Sequence, residues 1–263
     1  MRVLLPPSEA KKPDGAGPAW SVVAGDPARM LDGDGALGGV RLKVLREVAA
    51  LCGRHSLRAA AAALNLPPGQ VKDACARNAV VLSAPTMPAL DRYEGTVYVG
   101  LDAASMSARV RKTALVSTLV FSGGLGVVRG DDWVPWYRVP GSGRLPKAGT
   151  VAALWRPALS AVLPGVIDAE LIVDLRSSDY AALWRPSAAL LPQLVVVRVL
   201  QRRGDGVEQV VSYHSKLIKG RLARALFEVG EKRVRSRDDV AQVAETVGLR
   251  ARMTPTGLDL VDC

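Results

Sequence analysis

The stretch HSKLIKG, residues 214–220, sets one of the two histidines of the chain beside Lys216 and Lys219, just past a β-branched run. A helix from Ser215 to about Glu231 would place Ile218, Leu222, Ala225, Leu226 and Val229 on one face, leaving Lys216, Lys219, Arg221 and Arg224 on the other. Cations in a first helical turn oppose the helix dipole, at a cost of roughly a few tenths of a kcal/mol unless an anion neutralises them. The spacing therefore fits a phosphate or nucleic-acid contact, with His214 as general acid or base if chemistry occurs there. A solvated basic helix satisfies the same spacing.

Two further stretches carry reactive or anion-binding types. In VDLRSSDYAALWRP, residues 173–186, a buried strand ends in Asp174-Leu175-Arg176 and Ser177-Ser178 open a helix. Ser177 or Ser178 with backbone N–H groups at the helix start could hold an oxyanion while Arg176 offers a bidentate fork; a helix cap with an Asp174–Arg176 surface pair is the plainer alternative. In FSGGLGVVRGDDWVPWYRVPGSGRLP, residues 121–146, Trp133, Trp136 and Tyr137 interleave with Arg129, Arg138 and Arg144. Such interleaving suits base stacking and sugar-phosphate contact, and equally a loop covering a sheet edge. Gly123, Gly124 and Gly126 lack the following Lys-Ser/Thr of a P-loop. For a catalytic cleft the candidates are His214 or Asp131 as acid or base, with Tyr98 or Tyr137 as the orienting hydroxyl.

These stretches must be held by a mixed α/β framework. RVLL, residues 2–5, reads as a buried strand stopped by Pro6-Pro7, and residues 25–40, with glycines at 33, 35, 38 and 39, as an irregular loop. A helix is expected over 41–52. Ser56 caps a second one, LRAAAAAL, and Pro68 opens a third, GQVKDACARN, making a helical hairpin within about 41–78. From residue 79 strand-like runs follow: AVVLS, TVYVGL, ALVSTLVFS, AELIVDL, QLVVVRVL and EQVVSYH, with helical pieces at about 101–111, 150–163 and 179–190. The run LVVVRV suggests a strand covered on both faces. Ser236 and Asp239 fit a capping box for a last helix, and LDLVD a closing strand. The hexapeptide AALWRP occurs at 152–157 and 181–186, read as two helices ended by Pro157 and Pro186. No long linker divides the chain, so residues 1–263 are expected to form one domain.

The bulk composition narrows the partners. A net charge of +10 and a pI near 9.9 make an anionic partner plausible. Three cysteines without paired spacing, and only two histidines, read as reduced structural thiols and make a zinc site improbable. No metal or cofactor is called for. Apolar runs are too short for a membrane span or a signal peptide, which points to the cytoplasm.

In order along the chain, LLPPSEAKK (4–12), APTMPALDRYEGTVYVGLDA (84–103), RGDDWVPWYR (129–138), VDLRSSDYAALWRP (173–186) and SYHSKLIKGRLARAL (212–226) resemble the signature stretches of the YaaA family of bacterial peroxide-stress proteins. The resemblance spans nearly the whole chain. It implies one compact α/β fold with a positively charged cleft, binding of double-stranded or branched DNA, and a role in limiting free iron during peroxide stress. Lys11, Lys12, Arg92, Arg138, Arg176, Ser177, Lys216, Lys219, Arg221 and Arg224 are then the anion-binding candidates. The family's DNA binding is linked to a helix-hairpin-helix element; here that is the hairpin around Gly69, with Arg58, Lys72 and Arg77 as phosphate contacts. Pro67 stands where that element usually has its first glycine. Ala10-Lys11-Lys12, Gly123-Gly124 and Ser215 also depart from the usual Gly-Lys-Thr, Ala-Leu and Asn of the motifs, as in a divergent, actinobacterial-type member. A cleft adapted to a phosphorylated or nucleotide-like small molecule, in an enzyme of the same fold, is the alternative reading.

Overall fold

The computed structural model describes the chain except residues 55, 169–170, 203–207, 210–211 and 263. Its centre is a mixed sheet of β1 (Arg2–Leu5), β2 (Thr118–Ser122), β3 (Gly126–Arg129), β4 (Ile172–Asp174), β5 (Leu194–Arg202), β6 (Leu249–Thr254) and β7 (Gly257–Asp262), in the order β6-β7-β5-β4-β1-β2-β3. The five inner strands run parallel, while the hairpins β2-β3 and β6-β7 place an antiparallel strand at either end. A two-residue strand, Glu208–Gln209, pairs antiparallel with β5. The carboxyl ends of β1, β2 and β4 therefore open at the same edge, where ligands of parallel α/β sheets are usually held.

Successive residues Val3, Leu4 and Leu5 are all buried, as are all of β2 and β4, so the middle of the sheet is covered on both faces. In β5 the expected double cover holds only in part: Val197 and Val199 are buried while Arg198 between them is exposed. Arg198 and Arg252 share the buried carboxylate of Asp259 on that side, at 2.7 and 3.2 Å. One continuous hydrophobic core runs through the described residues.

Among the described residues the helices of six residues or more are α1 (Ala36–Arg54), α2 (Leu57–Leu64), α3 (Val71–Ala79), α4 (Thr96–Leu101), α5 (Ala108–Ser117), α6 (Val151–Val166), α7 (Ser212–Val229) and α8 (Arg237–Thr246). The helical hairpin forms as its punctuation requires. The Ser56 hydroxyl accepts from the Ala59 N–H at 3.2 Å, Asn65 ends α2 in the left-handed region, and Pro68 opens a 3₁₀ turn into α3. Ser236 and Asp239 complete the capping box of α8.

Several expectations give way to tertiary packing. TVYVGL is α4, not a strand, because Val97, Tyr98 and Leu101 bury one side while Val99 is left 65% exposed. The helix packs on α7 so closely that a Cβ at Gly100 would lie 2.2 Å from the Leu217 carbonyl oxygen, and one at Gly220 would lie 2.0 Å from that of Val97. SYH, expected to end a strand, is the first turn of α7, which starts at Ser212. AVVLS is the end of α3 and a turn, with the Val81 N–H on the Asn78 carbonyl. The helix expected at 101–111 is α5, and that at 179–190 is reduced to Ser178–Ala181 and a 3₁₀ stretch, Ala188–Gln193. Pro157 does not end its helix. α6 continues past it, since Trp155, Leu159 and Leu163 are buried on one stripe, offsetting a proline cost of about 3 kcal/mol. Residues 25–40 are not all loop either: the Asp32 carboxylate accepts from the Leu37 N–H at 2.8 Å and anchors the start of α1, which includes Gly38 and Gly39.

Candidate functional site

Beyond the carboxyl ends of β1 and β4 lies a cavity of about 530 Å³. One wall is Pro6–Ala10, which leaves β1; a second is Ser177–Tyr180, which leaves β4 and enters the short helix Ser178–Ala181. Gly95–Tyr98 at the start of α4, Pro140, and Lys216 on α7 complete it. Gly95 has φ +111°, and a Cβ there would lie 2.3 Å from the Ser8 hydroxyl oxygen, so glycine is needed to bring the start of α4 against the Pro6–Ala10 wall.

Inside, Glu9 is held from two sides. Its carboxylate pairs with Arg138 and accepts from the Tyr180 hydroxyl at 3.2 Å. The Tyr98 hydroxyl donates to the Pro6 carbonyl at 2.9 Å and so pins the turn that leaves β1. Lys216 is exposed to the cavity and has no ion pair among the described residues. Hydroxyls of Ser8, Thr96, Ser177 and Ser178, two carboxylates (Glu9 and Asp179) and one ammonium thus share the lining, a set suited to a polar ligand that carries both an anionic group and hydroxyl or amine donors.

Behind the Pro6–Ala10 wall, Lys11 is buried. Its Nζ donates to the Ser8 carbonyl at 2.6 Å and lies over the rings of Tyr137 and Tyr93, 4.4 and 5.4 Å from their centroids. Burial lowers its pKa to about 7, with Glu9 opposing the shift and Arg138 and Arg92 adding to it. The Tyr93 and Tyr137 hydroxyls are 2.5 Å apart, and Ser122 at the end of β2 bonds Tyr137. Burial pushes the Tyr93 hydroxyl up to about 12 and raises Tyr98 and Tyr137 well above the ordinary tyrosine value, so all three are neutral hydrogen-bonding groups near pH 7.

The sequence candidates divide. Tyr98, Ser177 and Lys216 line the cavity, and Arg138 reaches it through Glu9. Arg176, expected as an anion fork, is buried with both edges occupied: Nε and Nη2 bind Asp174 at 2.9 and 2.7 Å, Nη1 donates to the Trp184 carbonyl at 3.0 Å, and the guanidinium lies over Phe121 at 4.3 Å. Arg92, also expected to bind an anion, is fully buried and donates to the carbonyls of Lys12, Asp14, Pro85 and Val134. Lys219 donates to the Arg176 carbonyl at 3.1 Å; burial lowers its pKa to about 8 and Asp174 opposes the shift. Arg224 is spent on Asp102, Ser105 and Glu228.

Asp131 is exposed, 3.5 Å from Arg129 and outside the cavity lining. The buried acid is its neighbour Asp132, which accepts from the N–H groups of Leu31 and Arg129. His214 is half-buried in the first turn of α7, Lys12 and Arg221 are exposed, and Tyr137 is sealed behind the wall. On the hairpin, Arg58, Gly69 and Lys72 are exposed, while Arg77 binds Asp73 at 3.1 Å and lies over Trp136. The two AALWRP copies do meet, through Arg156 and the Ala182 carbonyl at 3.2 Å. Their tryptophans, however, are packing groups: Trp155 donates to the Gly123 carbonyl and Trp184 stacks on Phe121.

Glu9, Gly95, Thr96, Asp179 and Tyr180 are the lining residues that spacing did not single out. The available signal was their position inside the recurring stretches: all five of these stretches, spread from residue 4 to residue 226, put a residue in the cavity or against one that lines it.

Fold and site together define an α/β protein with a cavity of about 530 Å³ at the carboxyl edge of a largely parallel sheet. The sequence profile of the family described as Peroxide stress protein YaaA matches residues 1–251, and the chain belongs to that family. It is 37% identical over 233 residues to a UPF0246 protein of Streptomyces coelicolor, covering 88% of this chain and 84% of the relative. With a UPF0246 protein of Corynebacterium efficiens it shares 34% identity over 253 residues, 95% of this chain and 94% of the relative. Among the described residues no helix is long and apolar enough to cross a membrane.

Proposed function

We propose that the chain serves the peroxide stress response with which its family is linked by binding a phosphorylated, nucleotide-like small molecule in this cavity, in the cytoplasm. The observation that carries this reading is that four of the five family stretches line one cavity of about 530 Å³ and the fifth reaches it through the Arg138–Glu9 pair, a volume that suits a mononucleotide-sized ligand better than a duplex. Lys216 pairs with the phosphate, the Ser177 and Ser178 hydroxyls assist it, and Glu9, oriented by Tyr180 and Arg138, accepts from ligand hydroxyl or amine donors. Calorimetric titration with a panel of nucleoside mono- and diphosphates tests it. Saturable binding weakened by Lys216→Ala supports the reading; no binding by any of the panel overturns it.

A second reading, binding of double-stranded or branched DNA, is favoured by a separate observation. Arg58 and Lys72 on the helical hairpin are exposed and without ion pairs among the described residues, and nothing lies within 4 Å of a Cβ built at Gly69, leaving that turn open to a phosphate backbone. In either reading a limit on free iron follows downstream of ligand binding. Among the described residues no group of three or more His, Cys, Asp or Glu side chains is placed to hold a metal ion.

A further inference from the structure

The lining of the cavity carries two opposite charges that the protein itself leaves unneutralised. The Glu9 carboxylate is balanced by Arg138, with the Tyr180 hydroxyl donating to it as well. Asp179, in the short helix Ser178–Ala181 on the opposite wall, is exposed and has neither an ion pair nor a side-chain hydrogen bond among the described residues. Lys216 on α7 is in the same condition. These two residues line one volume of about 530 Å³ and yet do not pair with each other.

The hydroxyls beside them are equally unengaged. Those of Ser8, Thr96, Ser177 and Ser178 make no hydrogen bond among the described residues. Ser177 stands at a helix-capping position without capping, whereas Ser56, Ser107, Thr150 and Ser236 at that position each accept a backbone N–H. Formal charge then decides what fits. With Glu9 and Arg138 cancelling, the lining keeps one positive charge, on Lys216, and one negative, on Asp179. A purely anionic ligand is attracted by the first and repelled by the second, while a ligand with an anionic group and an ammonium pairs with both.

We propose that the cavity is a site for a dipolar ligand, an amino-nucleotide whose phosphate pairs with Lys216 and whose protonated primary amine pairs with Asp179. This inference rests on the nucleotide reading of the cavity and supplies the second charged group of the ligand. Asp179 is then the specificity-determining residue, selecting the amine by attraction and disfavouring plain nucleotides by repulsion.

The test is calorimetric titration of the full chain at about pH 6.5, where a primary amine is protonated. The probes are adenosine 5′-monophosphate, its 3′-amino-3′-deoxy analogue with the amine on the sugar, its N6-aminohexyl analogue with the amine on the base, and the N-acetylated form of each amine, which keeps the bulk and loses the charge. One of the two amines is expected to bind about tenfold or more tightly than adenosine monophosphate and than its own acetylated form; which one it is places the amine on sugar or base. Asp179→Asn, and Asp179→Ser as a second neutral variant, should abolish that gain and tighten adenosine monophosphate itself. Equal affinity for adenosine monophosphate and both amines, or a gain that survives in the two variants, overturns the inference and leaves the nucleotide reading standing. Absence of binding by every probe overturns both.

Discussion

Lys11 is where the chemistry of a single buried side chain has the widest consequence. Its folded pKa of about 7, and that of Lys219 of about 8, lie below the ordinary lysine value of 10.5. Between about pH 7 and pH 9 the unfolded chain thus binds more protons than the folded one, and stability rises with pH through that window, by up to about 1.4 kcal/mol per pH unit for each proton fully at stake. Below about pH 7 both states are protonated and the cost of burying the charge is in full force. Above about pH 10 the trend reverses, because the unfolded chain loses tyrosine protons that the buried Tyr93, pushed up to about 12, retains. Urea unfolding at a series of pH values should show the rise, and Lys11→Met should flatten it from about pH 7 while leaving the Lys219 contribution above about pH 8. At the Asp174–Arg176 pair, Asp174→Asn should cost about 3–5 kcal/mol because it strands a buried guanidinium; an unchanged Tm would contradict that. The role of Lys11 was not legible in the stretch 4–12, where charge alone marks it as an anion ligand and only burial reveals that the tyrosine rings and the Ser8 carbonyl already occupy it. For 173–186 the Asp174–Arg176 pair was one of the two readings that the spacing left open; it forms, but buried rather than at the surface.

Among the elements, the contact of α4 with α7 does most to place Lys216 over the cavity, and it rests on two glycines. Gly220→Ala would set a methyl 2.0 Å from the Val97 carbonyl oxygen, so it should destabilise by about 1–3 kcal/mol and loosen the cavity along with the fold. Gly69→Ala, with nothing within 4 Å of the added carbon, should leave Tm unchanged or slightly raised. Comparing the two by thermal unfolding separates a packing glycine from one in an open turn. The sequence distinguishes these poorly. Gly69 stands out beside prolines, while Gly100 sits in TVYVGL, whose β-branched residues read as a strand until the neighbouring helix is known. Caps were legible because their signal is local: Ser56, Pro68 and the Ser236–Asp239 box each stabilise the turn they stand in. Pro157 misled for the converse reason, since the packing of Trp155 and Leu159 that carries α6 through it is long-range.

For the whole molecule, a net charge of +10 fits either an anionic small ligand or a nucleic acid, and the two differ in how binding responds to salt. A duplex held by the exposed cations of the hairpin releases about one counterion per phosphate, so log K should fall with log salt at a slope near −0.9 for each contact, and Arg58→Ala with Lys72→Ala should make that slope shallower by about two. A nucleotide seated in the cavity beside Lys216 makes few phosphate contacts. Its affinity should depend weakly on salt, drop roughly ten- to hundredfold in Lys216→Ala, and be indifferent to the hairpin variants. Measuring both ligands against both sets of variants gives four results with distinct patterns. Loss of DNA binding in the hairpin variants with nucleotide binding intact would mean two independent sites. Loss of both in Lys216→Ala alone would mean that one nucleotide of the strand enters the cavity that Lys216 lines.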